Sequence, residues 1–528
     1  MKNWLIGSVA AIALLGACGG DSGDAAAGAA GQDITVADIK VEALTLRAGD
    51  ASKAGDALTA MALNDGAEGL VSFADKSTNG ADATFNDVTI AVDEDSPVKA
   101  GSLSFKGLDV TDAGAAFSQM TLSDISVSPP DEDGELTVAS VQLTNPSPEL
   151  AAWVGGLMDG SGEVPFPSLD KLSFDGLSME GFSFAAEGVD ELDVAEISQI
   201  NIRNLTEDGV GAFIFEGLNI AGTADGDPFK IGLESMAISG LNETMMAVIQ
   251  TSFLAGATGG DADELTQELF KSSFSGFGDP GYDTFTMSNF VVDAAGLGID
   301  LPSLVANVTR DSQGRATRAV TKPFTMSVSA DPEGEAGAQL AGPLAIMGYE
   351  TLKFSGESDS RMDPDADTIS ADSASNWLAL EDGFKMSLGM SATGLSDFYA
   401  KIAEDPENEA QLLAGLSALK MNKLNFEFED NSIMEKGFAM GGALSGQDPE
   451  AMKAQAIAGA AFLPLAAGEI GIDPAIAADL GSALSKFLND SGTLSLSINP
   501  SEPVTMADFE DPATSLTKDR LGFSATVK

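Results

Sequence analysis

Serine residues in three short strings have the spacing of nucleophile sites, but each lacks the partner that its chemistry needs. Ser22 lies in Gly20-Asp21-Ser22-Gly23, and the pairs Ser168/Lys171 and Ser417/Lys420 have Ser-x-x-Lys spacing. A serine of the first kind needs a histidine to accept its proton, and the chain contains no histidine. The Ser-Asp-Asn and Lys-Thr-Gly strings that accompany a catalytic Ser-x-x-Lys are also absent. The sequence therefore predicts no catalytic residue, and we expect a protein that is not an enzyme.

Carboxylates are numerous enough to suggest calcium, because this ion binds oxygen ligands alone. The string Asp363-Pro364-Asp365-Ala366-Asp367 comes closest to a calcium loop. Thr368 stands where such a loop has glycine, and Ala374 where it has a bidentate glutamate. We therefore interpret residues 357–375 as a solvated acidic loop and predict no metal site. No phosphate-binding glycine loop or dinucleotide fingerprint occurs, so no cofactor is expected.

The net charge limits the partners that the surface can bind. The chain has 81 acidic and 27 basic residues, which give a charge of −54. Such a surface repels nucleic acid and anionic lipid headgroups. Apolar residues nevertheless make up 44% of the chain, which favours a buried core over disorder.

The only thiol of the chain lies at Cys18, directly after an apolar segment. Lys2 precedes the apolar residues 4–15, and small residues lead from there to the cysteine. This order is typical of a secretory signal, and the apolar run is too short to span a bilayer well. A single cysteine also excludes disulfides within the chain.

The string Leu15-Gly16-Ala17-Cys18 resembles the lipobox of bacterial lipoproteins. The resemblance implies cleavage before Cys18, acylation of its thiol by palmitate or a related chain, and attachment to a membrane of the cell envelope. Gly19 after the cysteine implies delivery to the outer membrane. The body could face either the periplasm or the cell exterior. A plain signal peptide with an incidental cysteine is the alternative. With a lipobox, the chain divides into a signal peptide (1–17), a lipidated tether (18–33) and the remaining body.

One pattern of alternation recurs through the first 300 residues and predicts bent β-strands. Apolar and polar residues alternate, then Gly, Asn or Asp follows, and the alternation resumes one residue out of phase. The residues at these phase slips are Asp38, Asp87, Gly107, Asp124, Gly176, Asn204, Gly217, Gly240 and Asn289. A slip keeps the apolar side chains on one face only if the strand bends there, at a bulge or a corner, and the positive φ that such a bend often needs suits these residue types. We expect a mainly β fold with helical insertions, built on a long curled sheet of antiparallel or mixed bent strands. Plain hairpin strands with polar turns are the alternative.

Residues 138–146, which end in Asn145-Pro146, and the helix-like residues 148–158 resemble the strand-then-Asn-Pro segment of AsmA-like envelope proteins. The resemblance covers about residues 34–300 and implies a long β-gutter that carries lipids between membranes. Members of that family usually begin with a transmembrane helix, where this chain has a lipobox.

Helical spacing interrupts the strands in three places. Two lie near 148–158 and 243–274 within the β-rich body (34–394), and the third is a mostly helical patch (395–490). In that patch Asp405, Asp448 and Asp473 each precede a proline, which is typical of a capped helix start. We expect these helices to cap the sheet, and strands return at 491–528.

These observations favour a membrane-anchored, non-enzymatic envelope lipoprotein whose β-rich body binds or conveys lipids or other apolar molecules. A structural or adhesive acidic surface lipoprotein with a filled core and weak binding of divalent cations is the alternative. A carboxylate-based hydrolase is the third possibility. The first two differ in whether the space inside the curled sheet is open or packed with side chains.

Overall fold

The structure is a computed structural model that describes residues 44–64, 69–91, 97–127, 134–160, 167–186, 192–224, 227–242, 280–396, 398, 419–467, 473–505, 508 and 516–528. The fold is mainly β with helices, as the sequence predicts, and the strand pairings among these residues are antiparallel. Cys18, the predicted slip at Asp38, the predicted helical segment 243–274, Asp405 and Ser417 lie outside the described residues. The chain divides into an N-terminal unit (33–246 and 284–295) and a C-terminal unit that holds the rest.

The N-terminal unit is built on one antiparallel sheet. Its described elements are α1 (Ala54–Ala60), β1 (Val71–Ser72), β2 (Asp75–Asn79), β3 (Asp82–Ile90), β4 (Val98–Lys106), β5 (Asp109–Thr111), β6 (Gly114–Ala116), β7 (Gln119–Val127), β8 (Gly134–Thr144), α2 (Pro148–Asp159), β9 (Phe174–Ala186), β10 (Leu192–Thr206), β11 (Gly209–Ala224), β12 (Asp227–Asn242) and β13 (Thr284–Ala294). Strands β3, β4 and β7 to β13 pair in that order, and β1 and β2 both pair with β3. Strands β5 and β6 form a separate hairpin.

Seven of the predicted phase slips have positive φ and line up across this sheet: Asp87, Gly107, Asp124, Asn204, Gly217, Gly240 and Asn289. Asp87 has a φ of 51°, while Phe85 and Val88 on either side of it are both buried on one face. The flanking pairs Asn86↔Ser102 and Val88↔Ala100 place Asp87 directly opposite Gly101. The same reasoning, applied strand by strand, defines the first crease: Asp87, Gly101, Asp124, Ala139, Gly181, Ser198, Gly217, Glu234 and Asn289.

A second crease crosses the sheet parallel to the first. It consists of Gly107, Ser118, Asn145, Asp175, Asn204, Gly211 and Gly240. Positive φ alternates between the creases: β3, β7, β9, β11 and β13 adopt it in the first, and β4, β8, β10 and β12 in the second. Each strand crosses both creases and adopts the left-handed conformation at whichever crease comes later along its sequence. On β10, for example, Ser198 lies in the first crease and Asn204, which follows it, has the positive φ.

The creases decide between the bulge and the corner that the sequence interpretation left open for each slip. The strand pairs keep one register on both sides of each crease, so no extra residue is inserted. Neighbouring strands slip at the same level, and each sends two successive side chains to the same face. The sheet bends as a whole because every strand bends together.

Gly176 is the predicted slip that the structure contradicts, since its φ is not positive. A Cβ at Gly176 would lie 2.6 Å from Arg203 Nη1 and 2.6 Å from Leu44 Cδ1. The position needs glycine because two side chains cross directly over it. Strand β9 crosses the second crease one residue earlier, at Asp175, and its positive φ is at Gly181 in the first crease, where φ is 63°.

The C-terminal unit is also an antiparallel sheet with helices. Its described elements are β14 (Leu297–Arg310), β15 (Ala316–Ala330), α3 (Glu335–Met347), β16 (Thr351–Asp363), β17 (Thr368–Ala371), β18 (Trp377–Leu380), β19 (Phe384–Thr393), β20 (Lys420–Asp430), α4 (Ile433–Ser445), α5 (Pro449–Ala466), α6 (Pro474–Asp490), β21 (Gly492–Ile498), β22 (Val504–Thr505), α7 (Lys518–Leu521) and β23 (Ser524–Val527). β16 pairs with both β17 and β18, which lie end to end beside β19.

One prediction for the C-terminal unit is wrong, and one helix was not predicted. Residues 357–375 are not a loop, because β16 and β17 take most of them and leave a short turn. The polar side chains that suggested solvent instead pair across strands, as Arg318 does with Asp359. Helix α3 was not expected, and its small residues and internal Pro343 give little periodic signal.

Two of the predicted helix starts are confirmed. Asp448 caps α5 and Asp473 caps α6, and each carboxylate accepts a hydrogen bond from the first turn. The backbone N–H groups of Ala475 and Lys518 donate to Asp473 and hold the pKa of its carboxyl below 3.8. None of the helices in the described ranges is both long and apolar enough to cross a membrane.

Candidate ligand-binding surfaces

Between the two creases, the sheet of the N-terminal unit presents two apolar ladders, each one residue per strand from β3 to β13. One ladder is Phe85, Leu103, Leu122, Val141, Met179, Ile200, Phe215, Met236 and Met287; the other is Ala83, Phe105, Met120, Leu143, Leu177, Ile202, Phe213, Ile238 and Phe285. Residues that pair directly across antiparallel strands lie on the same face. The creases therefore bound a continuous apolar face, as the slip pattern predicts.

The first half of this face is filled. Side chains of α1 and α2, such as Leu58 and Val154, form one core with Phe85, Leu103 and Phe105. Phe85 and Leu103 have no exposed surface, and burying each contributes about 1.5–3 kcal/mol. Over these strands the apolar face of the sheet is packed against α1 and α2.

On β10, β11 and β12 the apolar face of the sheet is less deeply buried. The core formed with α1 and α2 extends to Ile202 and Leu205 on β10 and, among the described residues, no further. Half-buried apolar side chains continue the ladders on β10, β11 and β12: Ile200, Phe213, Phe215, Met236 and Ile238. We call these five residues the apolar patch.

The opposite face of the same strands is closed. Asn201, Ile214, Ala237 and Thr286 form a row in register there, and all four are buried. On the same face, burial lowers the pKa of the Arg203 guanidinium. Between the creases on β10, β11 and β12, large apolar side chains are partly accessible on the face of the apolar patch, so we take that face as the candidate surface of this unit.

The C-terminal unit has an open cleft of about 840 Å³ on its sheet. Thr325, Ser355, Ala379, Lys385 and Glu429 pair in register across β15, β16, β18, β19 and β20, so they share one face. Phe354, Leu380 and Phe384 alternate with them and join the core beneath α3. The cleft is therefore lined by a mixture of polar and apolar side chains, and Phe354, Leu380 and Phe384 belong to both its lining and the core.

Charged groups surround the small residues at the centre of this cleft. Lys353 Nζ lies 3.3 Å from Glu381 Oε2, and both side chains are about 60% exposed. The ammonium of Lys385 lies 4.5 Å from the centre of the Trp377 ring, in cation–π geometry. The indole Nε1 of Trp377 donates to Glu357 Oε1 at 2.6 Å, which fixes the orientation of the ring.

The other residues that the sequence singled out do not meet in a site where the structure describes them. Ser168 and Lys171 are joined only by a backbone hydrogen bond of a short turn. The carboxylate of Asp363 accepts N–H groups of its own turn, and that of Asp365 binds Arg315. In the described part of the chain, no three acidic or cysteine side chains cluster as metal ligands.

Reasoning from the sequence alone missed Trp377, Lys385 and Glu429. The only available signal was the alternation around Phe426 and Phe428, which predicts a strand and gives no register with β19. A family model described only as "Uncharacterized protein" matches residues 377–528. The match begins at Trp377 and so includes the β18, β19 and β20 side of the cleft. No curated protein matches the chain.

Proposed function

We propose that the protein is a non-enzymatic lipoprotein of the bacterial cell envelope, tethered through Cys18, whose N-terminal unit binds the hydrocarbon part of a lipid on the apolar patch. The observation that carries the proposal is the apolar patch itself. Five large apolar side chains in register lie beyond the packed core and between two creases that hold them on one face. Ligand sites for apolar molecules are concave, preformed and lined by such side chains.

The lipid-binding part of the proposal predicts that Phe215→Glu removes bound lipid. A carboxylate in the patch would lose its hydration against the ligand, so we expect affinity for a fluorescent fatty acid to fall at least tenfold. The affinity is measured by titrating delipidated full-length protein with the probe. Mass spectrometry of organic extracts of the untreated protein shows whether it carries stoichiometric lipid.

The matched control is Val291→Glu, which places the same charge on β13 at a residue that is already 36% exposed. This variant should bind the probe like the parent protein. Circular dichroism of both variants checks that they fold. Equal losses in the two variants, or a parent protein that neither carries lipid nor binds the probe, would contradict lipid binding at the patch.

The anchor predicts that Cys18→Ser abolishes incorporation of labelled palmitate in the native host. Cys18 is the only thiol in the chain, so no other residue can replace it. Ser22→Ala, in the same tether, should be labelled normally and should sediment with outer membranes. A labelled Cys18→Ser protein would rule the anchor out and leave binding at the apolar patch unaffected.

A further inference from the structure

The cleft of the C-terminal unit contains a cation and an anion that face each other without pairing. Lys385 on β19 is directly opposite Glu429 on β20, so their side chains leave the sheet about 5 Å apart. Cross-strand neighbours of opposite charge ordinarily attract each other. Here the ammonium of Lys385 lies over Trp377 instead, and within the described ranges neither residue makes an ion pair.

The position of Lys385 is held by its surroundings. Trp377 pairs with Ser387 next along the same face, and its hydrogen bond to Glu357 keeps the ring flat under the ammonium. A cation–π contact leaves the N–H donors of an ammonium available to a second partner. Lys385 is therefore a charged donor directed at the cleft, in a chain where acidic residues outnumber basic ones threefold.

A second cation lies on the other side of the small residues. Lys353 lines the cleft from β16, with Ser355 and Ala379 between it and Lys385. Its ion pair with Glu381 is exposed, and exposed pairs contribute little to stability because water screens them. Lys353 can therefore exchange Glu381 for a ligand at little cost, whereas Glu429 keeps a free carboxylate at the opposite side.

We propose that this cleft binds a small zwitterion in which a phosphate and a primary ammonium are separated by a short spacer, as in phosphoethanolamine. The phosphate contacts Lys385 and Lys353, and the ammonium contacts Glu429. The hydroxyls of Ser355 and Thr325 supply neutral donors on the Lys353 side of the cleft. A simple anion is disfavoured by Glu429, Glu381 and Asp382, which also line the cleft. The proposal concerns the C-terminal unit alone and is independent of lipid binding at the apolar patch.

Calorimetry on the full-length protein tests the proposal, with O-phosphoethanolamine, inorganic phosphate and ethanolamine as probes at low ionic strength. We expect the zwitterion to bind at least tenfold more tightly than either half of it. Lys385→Met and the nearly isosteric Glu429→Gln should each weaken it at least tenfold. Lys423→Met, which removes an exposed lysine of β20 outside the cleft, should leave the affinity unchanged.

A short-chain phosphatidylethanolamine, kept below its micelle concentration, identifies the source of the ligand. Affinity equal to or above that of free phosphoethanolamine assigns the site to a lipid headgroup, and lower affinity assigns it to a soluble phosphate ester. The proposal is overturned if phosphate alone binds as tightly as the zwitterion. It is also overturned if Lys385→Met and Lys423→Met behave alike, or if no probe binds.

Discussion

Gly217→Val is expected to destabilise the N-terminal unit by about 3 kcal/mol or more, because it acts on the first crease in two ways. Gly217 has a φ of 68°, and the left-handed region costs an ordinary residue about 1–2 kcal/mol. A Cβ there would also lie 2.6 Å from Ser198 Cβ, and overpacking of this kind costs about 1–3 kcal/mol. The free energy of unfolding is measured by urea titration, followed by Trp153 fluorescence with Trp4 and Trp377 replaced by phenylalanine.

Gly232→Val on β12 is the matched control for this substitution. Its φ is not in the left-handed region, and the nearest atom to an added Cβ is Leu218 O at 4.0 Å. We expect it to change stability by less than about 0.5 kcal/mol. Adding Ser198→Gly to Gly217→Val should recover the stability lost through the overlap with Ser198. The loss that comes from the left-handed backbone should remain. If Gly217→Val proves as mild as Gly232→Val, the crease does not need its glycine.

Asn145→Leu is expected to cost about 3–5 kcal/mol, since this residue holds the second crease with its side chain as well as its backbone. Asn145 is 5% exposed with a φ of 47°. Its Nδ2 donates to Asp175 Oδ2 at 2.6 Å and to Thr45 O at 2.8 Å, while its Oδ1 accepts the Arg47 N–H at 3.1 Å. Each such bond contributes about 0.5–1.5 kcal/mol, and a buried partner left alone costs more. The same urea titration measures the loss.

Asn145→Gly separates the two contributions, because glycine keeps the left-handed backbone and loses the three bonds. It should retain about 1 kcal/mol more stability than Asn145→Leu. Asn145→Asp would place a second carboxylate beside Asp175, and repulsion between the two charges should add to the loss of stability. Equal stability of the leucine and glycine variants would show that the backbone conformation is unimportant here.

The alternation of apolar residues carries information about strands, faces and bends because these are local properties. Asp87, Asp124, Asn204 and Gly240 could be identified as slips from their own neighbours, since two outward side chains in succession interrupt a period of two. Residue type supplied the conformation, because Gly, Asn and Asp tolerate positive φ. Helix starts at Asp448 and Asp473 were readable for the same reason, as a cap and its first turn are contiguous.

Local patterns failed where the role of a residue depends on contacts with residues that are distant in the sequence. Gly176 was taken for a slip, but it is a glycine because Arg203 and Leu44 pass over it. The polar residues of β16 were taken for a loop, but Asp359 and Glu357 are satisfied by Arg318 and Trp377 on other strands. Asn145 was noted only as part of a resemblance, and its role in the second crease depends on Asp175 and Thr45.

The sequence by itself determined that this chain folds into bent β-strands with apolar residues kept on one face. Both the two-residue alternation of side chains and the ability of a residue to adopt positive φ depend only on residues that are adjacent in the chain. Only the tertiary structure decided that the bends align into two creases, which part of the apolar face is filled by α1 and α2, and where Lys385 meets Glu429. Those outcomes depend on register between strands, and register is fixed by packing across the whole sheet.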